Sequence, residues 1–489
     1  MRERHIVVIG GGITGLSAAF ELKRKAEAVN MPVRCTVIEK DSRFGGKIQT
    51  KRRDGFVLER GPDSMLARKP AGVNLIRDLG IESETVGTNP HANKTYILHE
   101  GQLEPMPKGH QMGIPVDFTS FLQTRLLTQA DKLRVVLEPF IPRGSADGDE
   151  SLGQLLRRRF GDALVNRLLE PLMAGIYAGS IDHLSVRTTF PQYQKLEQQY
   201  RSLVLGLRAQ RRAMAAMQAP GAERVGPASG RSVFITLRDG LQTLVERLYD
   251  TLVNWADLRV STDVTGVTRR TDGTYTVTVH SEGQVEHLPA DAVICTTPAG
   301  PAAQLLSDLV PAAARLSEIP YVSTATIVLA YPEEKVQVDL DASGFLVPRG
   351  EQRAITASTW VSSKWPNAAP KGHVAIRCYV GRAGQEEGLK LDDADLVDVV
   401  RQELKSILGL DAKPEFTVVS RWNNAMPQYT VHHLDRMAEV EAAIARQAPG
   451  LYIAGAGYYA IGIPDCIKHG QEAAARALAH VTDGELAQA

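Results

Sequence analysis

Cysteine is scarce in this chain. Cys35, Cys295, Cys378 and Cys466 are the four in 489 residues, and no two stand in CxxC spacing. That excludes a disulfide framework of the secreted type and fits a reducing cytosol, so buried structural thiols are expected. The twelve histidines show no ligand-like spacing with them, and no metal is expected. Net charge is also missing: 56 Lys and Arg stand against 56 Asp and Glu. No global field gathers nucleic acid, so no nucleic-acid partner is expected. Runs of about 18 uncharged apolar residues are absent. The stretch Ile6 to Ile9 is too short for a signal-peptide core. The chain is expected to be cytoplasmic and to span no membrane by helices, which leaves peripheral membrane contact open.

A hydrophobic share of 43% and a charged share of 23% fit a globular enzyme. A length of 489 residues exceeds what one core organises, so at least two packed regions are expected. Ile6-Val7-Val8-Ile9 is a β-branched run that meets glycine at once. Leu16 to Leu22 then changes to helix formers with apolar positions at helical spacing, and Arg34 to Glu39 is again strand-like. Strand, tight turn, helix and strand make a parallel βαβ unit. Ser151 to Leu184 reads as helices, a helical insertion. Arg208 to Arg231 is rich in Ala, Gly, Pro and Arg, with Glu223 its one acid, and reads as a mobile basic loop: a solvated linker by default, a lid or membrane contact if functional. Leu258 to Ile294 alternates in strand fashion around an Asp272-Gly273 hairpin turn. A helix over Asp392 to Leu408 precedes the final strand, Leu451 to Ala454.

Gly10-Gly11-Gly12-Ile13-Thr14-Gly15 is a GxGxxG pattern in the context that gives it meaning, after a strand and before a helix. The first glycine permits the turn, Gly12 lets backbone approach a pyrophosphate, and Gly15 lets helix pack on strand. The helix N-terminus attracts the phosphates. Glu39 ends the second strand, where its carboxylate accepts from ribose hydroxyls and disfavours a 2′-phosphate, so the ligand is NAD or FAD rather than NADP. Just beyond lie Lys40, Arg43, Gly45, Gly46 and Lys47. A second glycine pair lets the chain fold back over a longer ligand, with cations near its phosphates.

This arrangement resembles the flavin amine oxidase superfamily, which implies FAD. The resemblance places Gly61-Pro62-Asp63-Ser64 beside the isoalloxazine ring. It places the helix opened by Gly462-Ile463-Pro464-Asp465 at the flavin's pyrimidine end, where helix-dipole charge would stabilise the reduced anion. Gly455 follows the last strand, but Ala456 stands where many FAD proteins carry aspartate. Further segments, Pro105 to Gly109, Gly175-Ile176-Tyr177-Ala178-Gly179, Trp422 and Met426-Pro427-Gln428-Tyr429, are similar to the porphyrinogen oxidases over nearly the whole chain, and most similar to the form found in Gram-positive bacteria.

That likeness implies six-electron oxidation of coproporphyrinogen III, rather than protoporphyrinogen IX, with dioxygen as the acceptor. Such chemistry needs no nucleophile, metal or strong base, so no catalytic side chain is assigned. Arg68 and Lys69 are candidates for the four propionates, with Lys195 and Arg201 weaker. Tyr177 is a candidate for the cavity wall. Trp422 would border the flavin, and Val264 would meet the adenine through its backbone. Transient contact with other haem-synthesis enzymes is compatible with this reading. The alternatives are a protoporphyrinogen oxidase, an amine oxidase and a non-catalytic protein on the same fold.

The expected architecture is α/β (α+β overall). Residues 1–65, 229–299 and 415–489 form a discontinuous Rossmann-type FAD-binding domain, 66–90 and 300–414 a mixed-sheet substrate domain, and 91–228 a mainly helical insertion.

Overall fold

The computed structural model describes residues 2–145, 148–217, 232–459 and 461–486. Five parallel strands form the sheet that carries the glycine-rich turn: β1 (Arg4–Ile9), β2 (Val33–Ile38), β3 (Asp257–Arg259), β4 (Ala292–Cys295) and β5 (Leu451–Ile453), in the spatial order β3-β2-β1-β4-β5. A parallel sheet covered on both faces needs apolar side chains on both, which is why β1 shows no alternation. Ile6 and Val8 join one core with helices α1 (Ile13–Ala28) and α2 (Ile463–Leu486). Val7 and Ile9 join the other, with the strands of 263–290 and the helices Ala299–Leu306 and His433–Gln447.

The strands Asp263–Arg269, Tyr275–Ser281 and Gln284–Ala290 form an antiparallel meander, turning at Asp272-Gly273 as expected. A helix over Asp393–Leu408, N-capped by Asp392, also lies where its pattern placed it.

A second, seven-stranded sheet is mixed. Phe416–Pro427, Tyr321–Pro332, His373–Val380, Ile355–Trp360 and Gly344–Leu346 pair antiparallel, Gly344–Leu346 pairs parallel with Tyr96–His99, and Gln102–Pro105 closes the edge. Two expected boundaries therefore shift. Phe416–Pro427 pairs with this sheet rather than with the parallel one, and the hairpin Tyr96–Pro105 belongs to it rather than to the helical insertion. Neither segment carries a local signal of its partner, because strand pairing is set by tertiary contact.

Helices dominate from Phe118 to Met217, around a core that includes Phe121, Leu155, Phe160, Leu168, Tyr177 and Tyr193. Residues 208–217, expected as the start of a loop, instead continue the helix Leu203–Met217. Leu203, Val204 and Leu207 bury its first turns, Arg208 donates to the Val116 carbonyl at 2.7 Å, and the Ala-rich stretch beyond is strongly helix-favouring. The rest of that expected loop, 218–231, lies outside the described residues.

Candidate functional site

The site grows from the end of β1. Gly10 takes φ +104°, a conformation that favours glycine, while its N–H donates to the Ile38 carbonyl at 2.8 Å. A Cβ on Gly15 would lie 1.9 Å from the Gly10 carbonyl oxygen, so no larger residue fits there. A Cβ on Gly12 would meet nothing within 4 Å, and Gly12 caps α1 without a side-chain hydrogen bond. The start of α1 thus has open space beside Gly12, no side-chain cap and no acid in its first turn, a helix end suited to phosphate.

Glu39 accepts from the Gly11 N–H at 2.7 Å and the Asp41 N–H at 2.9 Å. A carboxylate has about four acceptor sites, so the two remaining fit ribose hydroxyls. Gly45 donates to the Gly11 carbonyl at 2.8 Å, and Gly45 bridges Gly12 in parallel. The second glycine pair thus folds back over the first turn. Val264 lies in the strand that starts just after Thr262, whose N–H donates to the Glu39 carbonyl at 3.0 Å, so it stands on the Glu39 side of the turn.

The cations divide. Lys47 is half-buried and donates to the Ala425 carbonyl; desolvation pushes its pKa down, opposed by Cys466. Arg43 spends its guanidinium on the carbonyls of Phe44, Gly46 and Ile48, holding its own turn rather than reaching outward. Lys40 pairs on the surface with Asp263 at 2.9 Å.

Gly61 packs so closely that a Cβ would sit 2.1 Å from the Lys47 carbonyl oxygen and 3.3 Å from the Trp422 ring. The Trp422 indole donates to the Arg60 carbonyl at 2.9 Å, joining the segment to the second sheet. Pro62 leads to Asp63, which turns inward to Arg377 at 2.9 Å and Lys364 at 3.1 Å, while the Ser64 hydroxyl donates to it at 2.7 Å. Burial raises the Asp63 pKa, but the two cations outweigh it and hold the carboxyl far below its ordinary range.

From the other side, Gly455 at φ +123° approaches Thr14, and a Cβ on Gly470 in α2 would lie 2.2 Å from the Thr14 carbonyl. This contact packs the early turns of α2, which opens with Gly462, Ile463 and Pro464, against the start of α1. Lys69 pairs with Asp465 in the first turn of α2 at 2.5 Å, whereas Arg68 is exposed with no hydrogen-bond partner among the described residues. Tyr177 is buried, edge-on to Phe190 and Tyr429, with its carbonyl held by Gln428 at 2.8 Å; burial, then Asp465, pushes its pKa up. Lys195 and Arg201 are exposed on the helical region, apart from this cluster.

Sequence reasoning missed three residues that fix the site. The Thr296 hydroxyl lies within 3.0 Å of the carbonyls of Ile9 and Gly10, beneath the turn. Gln428 ties Met426 to Tyr177. Arg377 carries the one available signal: a charge inside an otherwise apolar strand, which calls for a buried partner. All four cysteines are buried free thiols, and among the described residues no three His, Cys, Asp or Glu side chains are grouped to hold a metal ion. No helix among the described residues is long and apolar enough to cross a membrane.

The chain is similar to known proteins along its length. The family model described as flavin containing amine oxidoreductase matches residues 13–478. The coproporphyrinogen III oxidase of Bacillus subtilis (strain 168) is 41% identical over 479 residues, covering 98% of this chain and 99% of that protein. The chloroplastic protoporphyrinogen oxidase of Nicotiana tabacum is 30% identical, with 96% and 85% covered. A crystal structure from Exiguobacterium sp. 255-15, provisionally described as a protoporphyrinogen oxidase, superposes with a TM-score of 0.83 at 35% identity, covering 99% of this chain and 100% of that one.

Proposed function

This chain belongs to the flavin containing amine oxidoreductases, and from that premise we propose that it is an FAD-dependent coproporphyrinogen III oxidase of haem biosynthesis. The observation that carries the reading is 41% identity, end to end, with a protein of that name. The glycine cradle, the uncapped start of α1 and the bonding of Glu39 fit FAD.

Bound FAD supplies a two-electron acceptor for hydride from a meso carbon in each of three rounds, with dioxygen taking the electrons and hydrogen peroxide leaving. The chain's own part is to bind and orient. The start of α1 holds the pyrophosphate, and Glu39 holds the ribose. Val264 meets the adenine by its backbone. Gly61 to Ser64 and Trp422 set the wall beside the ring, and the start of α2 directs positive helix-end charge at the pyrimidine end. Lys69 and Arg68 provide cations for propionates at the rim, and Tyr177 lines the cavity.

Cytoplasmic location, peripheral membrane contact and transient contact with other haem-synthesis enzymes complete the proposal. An apolar face, with Leu133, Leu137 and Phe140 exposed, supports the contacts.

Purified protein is expected to be yellow and to convert coproporphyrinogen III to fluorescent porphyrin with peroxide release, faster than it converts protoporphyrinogen IX. Clear preference for protoporphyrinogen IX overturns the substrate assignment. Colourless protein that takes up no FAD overturns the whole reading.

A further inference from the structure

Behind the Gly61 to Ser64 segment lies a cavity of about 20 Å³, walled by Glu59, Asp63, Arg377, Trp365 and Asn367 among apolar neighbours. Three buried polar atoms on these walls, Nε of Arg377, Nε1 of Trp365 and Oδ1 of Asn367, have no hydrogen-bond partner among the described residues. Two are donors and one an acceptor, and a water molecule needs only about 10–15 Å³ of such space with two to four polar partners.

We propose that this cavity binds one ordered water, and that Glu59, which shares its wall, is a positioning residue that acts through Arg377 on the flavin-side segment, which it serves by exchanging a proton. The part concerning the flavin rests on the proposed function. The geometry is direct. Glu59 accepts from the Leu241 N–H at 2.6 Å and the Thr50 hydroxyl at 2.9 Å, and the Arg377 guanidinium donates to the carbonyls of Glu59 at 3.1 Å and Gly61 at 3.3 Å while it holds Asp63. One arginine thus joins Glu59 to the stretch beside the ring. Burial pushes the Glu59 pKa up to about 7, with Leu241, Thr50 and Arg377 opposing and Asp63 adding to it. Arg52, itself beside Glu246 and Asp239, also lies in range. Asp63 differs because it receives both Arg377 and Lys364. With Glu59 ionised, the two carboxylates balance Arg377 and Lys364. Protonated, as below about pH 7, it leaves excess positive charge behind the segment, which favours an electron-rich flavin.

The FAD-loaded protein tests this in two ways. A crystal structure is expected to show one water within hydrogen-bond reach of the Trp365 and Arg377 nitrogens; side chains closing the space overturn the water site. The flavin midpoint potential plotted against pH is expected to bend near neutrality in the native protein and not in Glu59→Gln; identical curves overturn the role of Glu59. Should that variant not fold, the carboxyl infrared band of the native protein decides, since a buried acid that shows no titration between pH 5 and 9 also overturns it. Failure to bind FAD would sink the functional reading and leave the water-site result standing.

Discussion

Around β1 and α1 the chain is held by contacts so close that only glycine fits, whereas the helical region is held by charge taken fully out of water. At the first, the Gly15 and Gly470 positions bring backbone within a Cβ's reach of backbone. At the second, Arg159 is fully buried, donating to Glu138 at 2.7 Å, to Glu197 at 3.3 Å and to the carbonyls of Ile141, Pro142 and Arg201. Glu138 in turn accepts from the Ser202 hydroxyl and the Leu203 N–H. Shape fixes the cofactor end, and a buried polar knot ties together helices that share a core with Tyr177.

That contrast predicts where damage falls. Arg159→Met leaves Glu138 buried without its cation, while Glu197 keeps Arg158, and removing one member of such a cluster costs about 3–5 kcal/mol. The loss is expected in chemical denaturation of the FAD-loaded protein, and a loss below about 1 kcal/mol would break the contrast. Gly12→Ala is the opposite case. Its φ of −71° suits alanine and the added methyl touches no protein atom, so stability is expected to change by no more than about 1 kcal/mol. The methyl occupies the approach to the helix end, so FAD affinity is expected to fall at least about tenfold, roughly 1.4 kcal/mol, in flavin-fluorescence titration of the apoprotein. Unchanged affinity would move the pyrophosphate away from α1.

The same contrast explains what could be read from the residues. Glycine at fixed spacing leaves its mark within a few positions of the turn it serves, so Gly10 to Gly15, Glu39 and Gly45-Gly46 were legible, as were β1, β2 and α1. The knot draws on Glu138, Arg159, Glu197 and Ser202, spread over sixty-odd positions, and each looks locally like an ordinary surface residue. Arg43 and Lys40 are cations beside a phosphate motif, a pattern that suggests ligand contacts; among the described residues backbone carbonyls and Asp263 are their partners. Phe416–Pro427 fell within the expected FAD-binding domain and the Tyr96–Pro105 hairpin within the expected helical insertion, because nothing nearby named the sheet they join. Arg208 to Met217 lacked an apolar period and still formed helix, because its first turns were already anchored.

The smallest effect is expected where neither kind of restraint operates, at Lys69. Its pair with Asp465 is about one-third exposed, so screening leaves at most about 1 kcal/mol of stability in it, and Lys69→Met is expected to fold and bind FAD normally. If the ammonium meets a propionate, the variant raises KM for coproporphyrinogen III several-fold with kcat nearly unchanged, the pattern of a contact made equally in ground and transition states. Protoporphyrinogen IX, with two propionates in place of four, is expected to lose less. An unchanged KM would assign Lys69 to Asp465 alone, as a tie on the first turn of α2, and would leave Arg68, exposed and unpaired among the described residues, as the cation that meets the substrate.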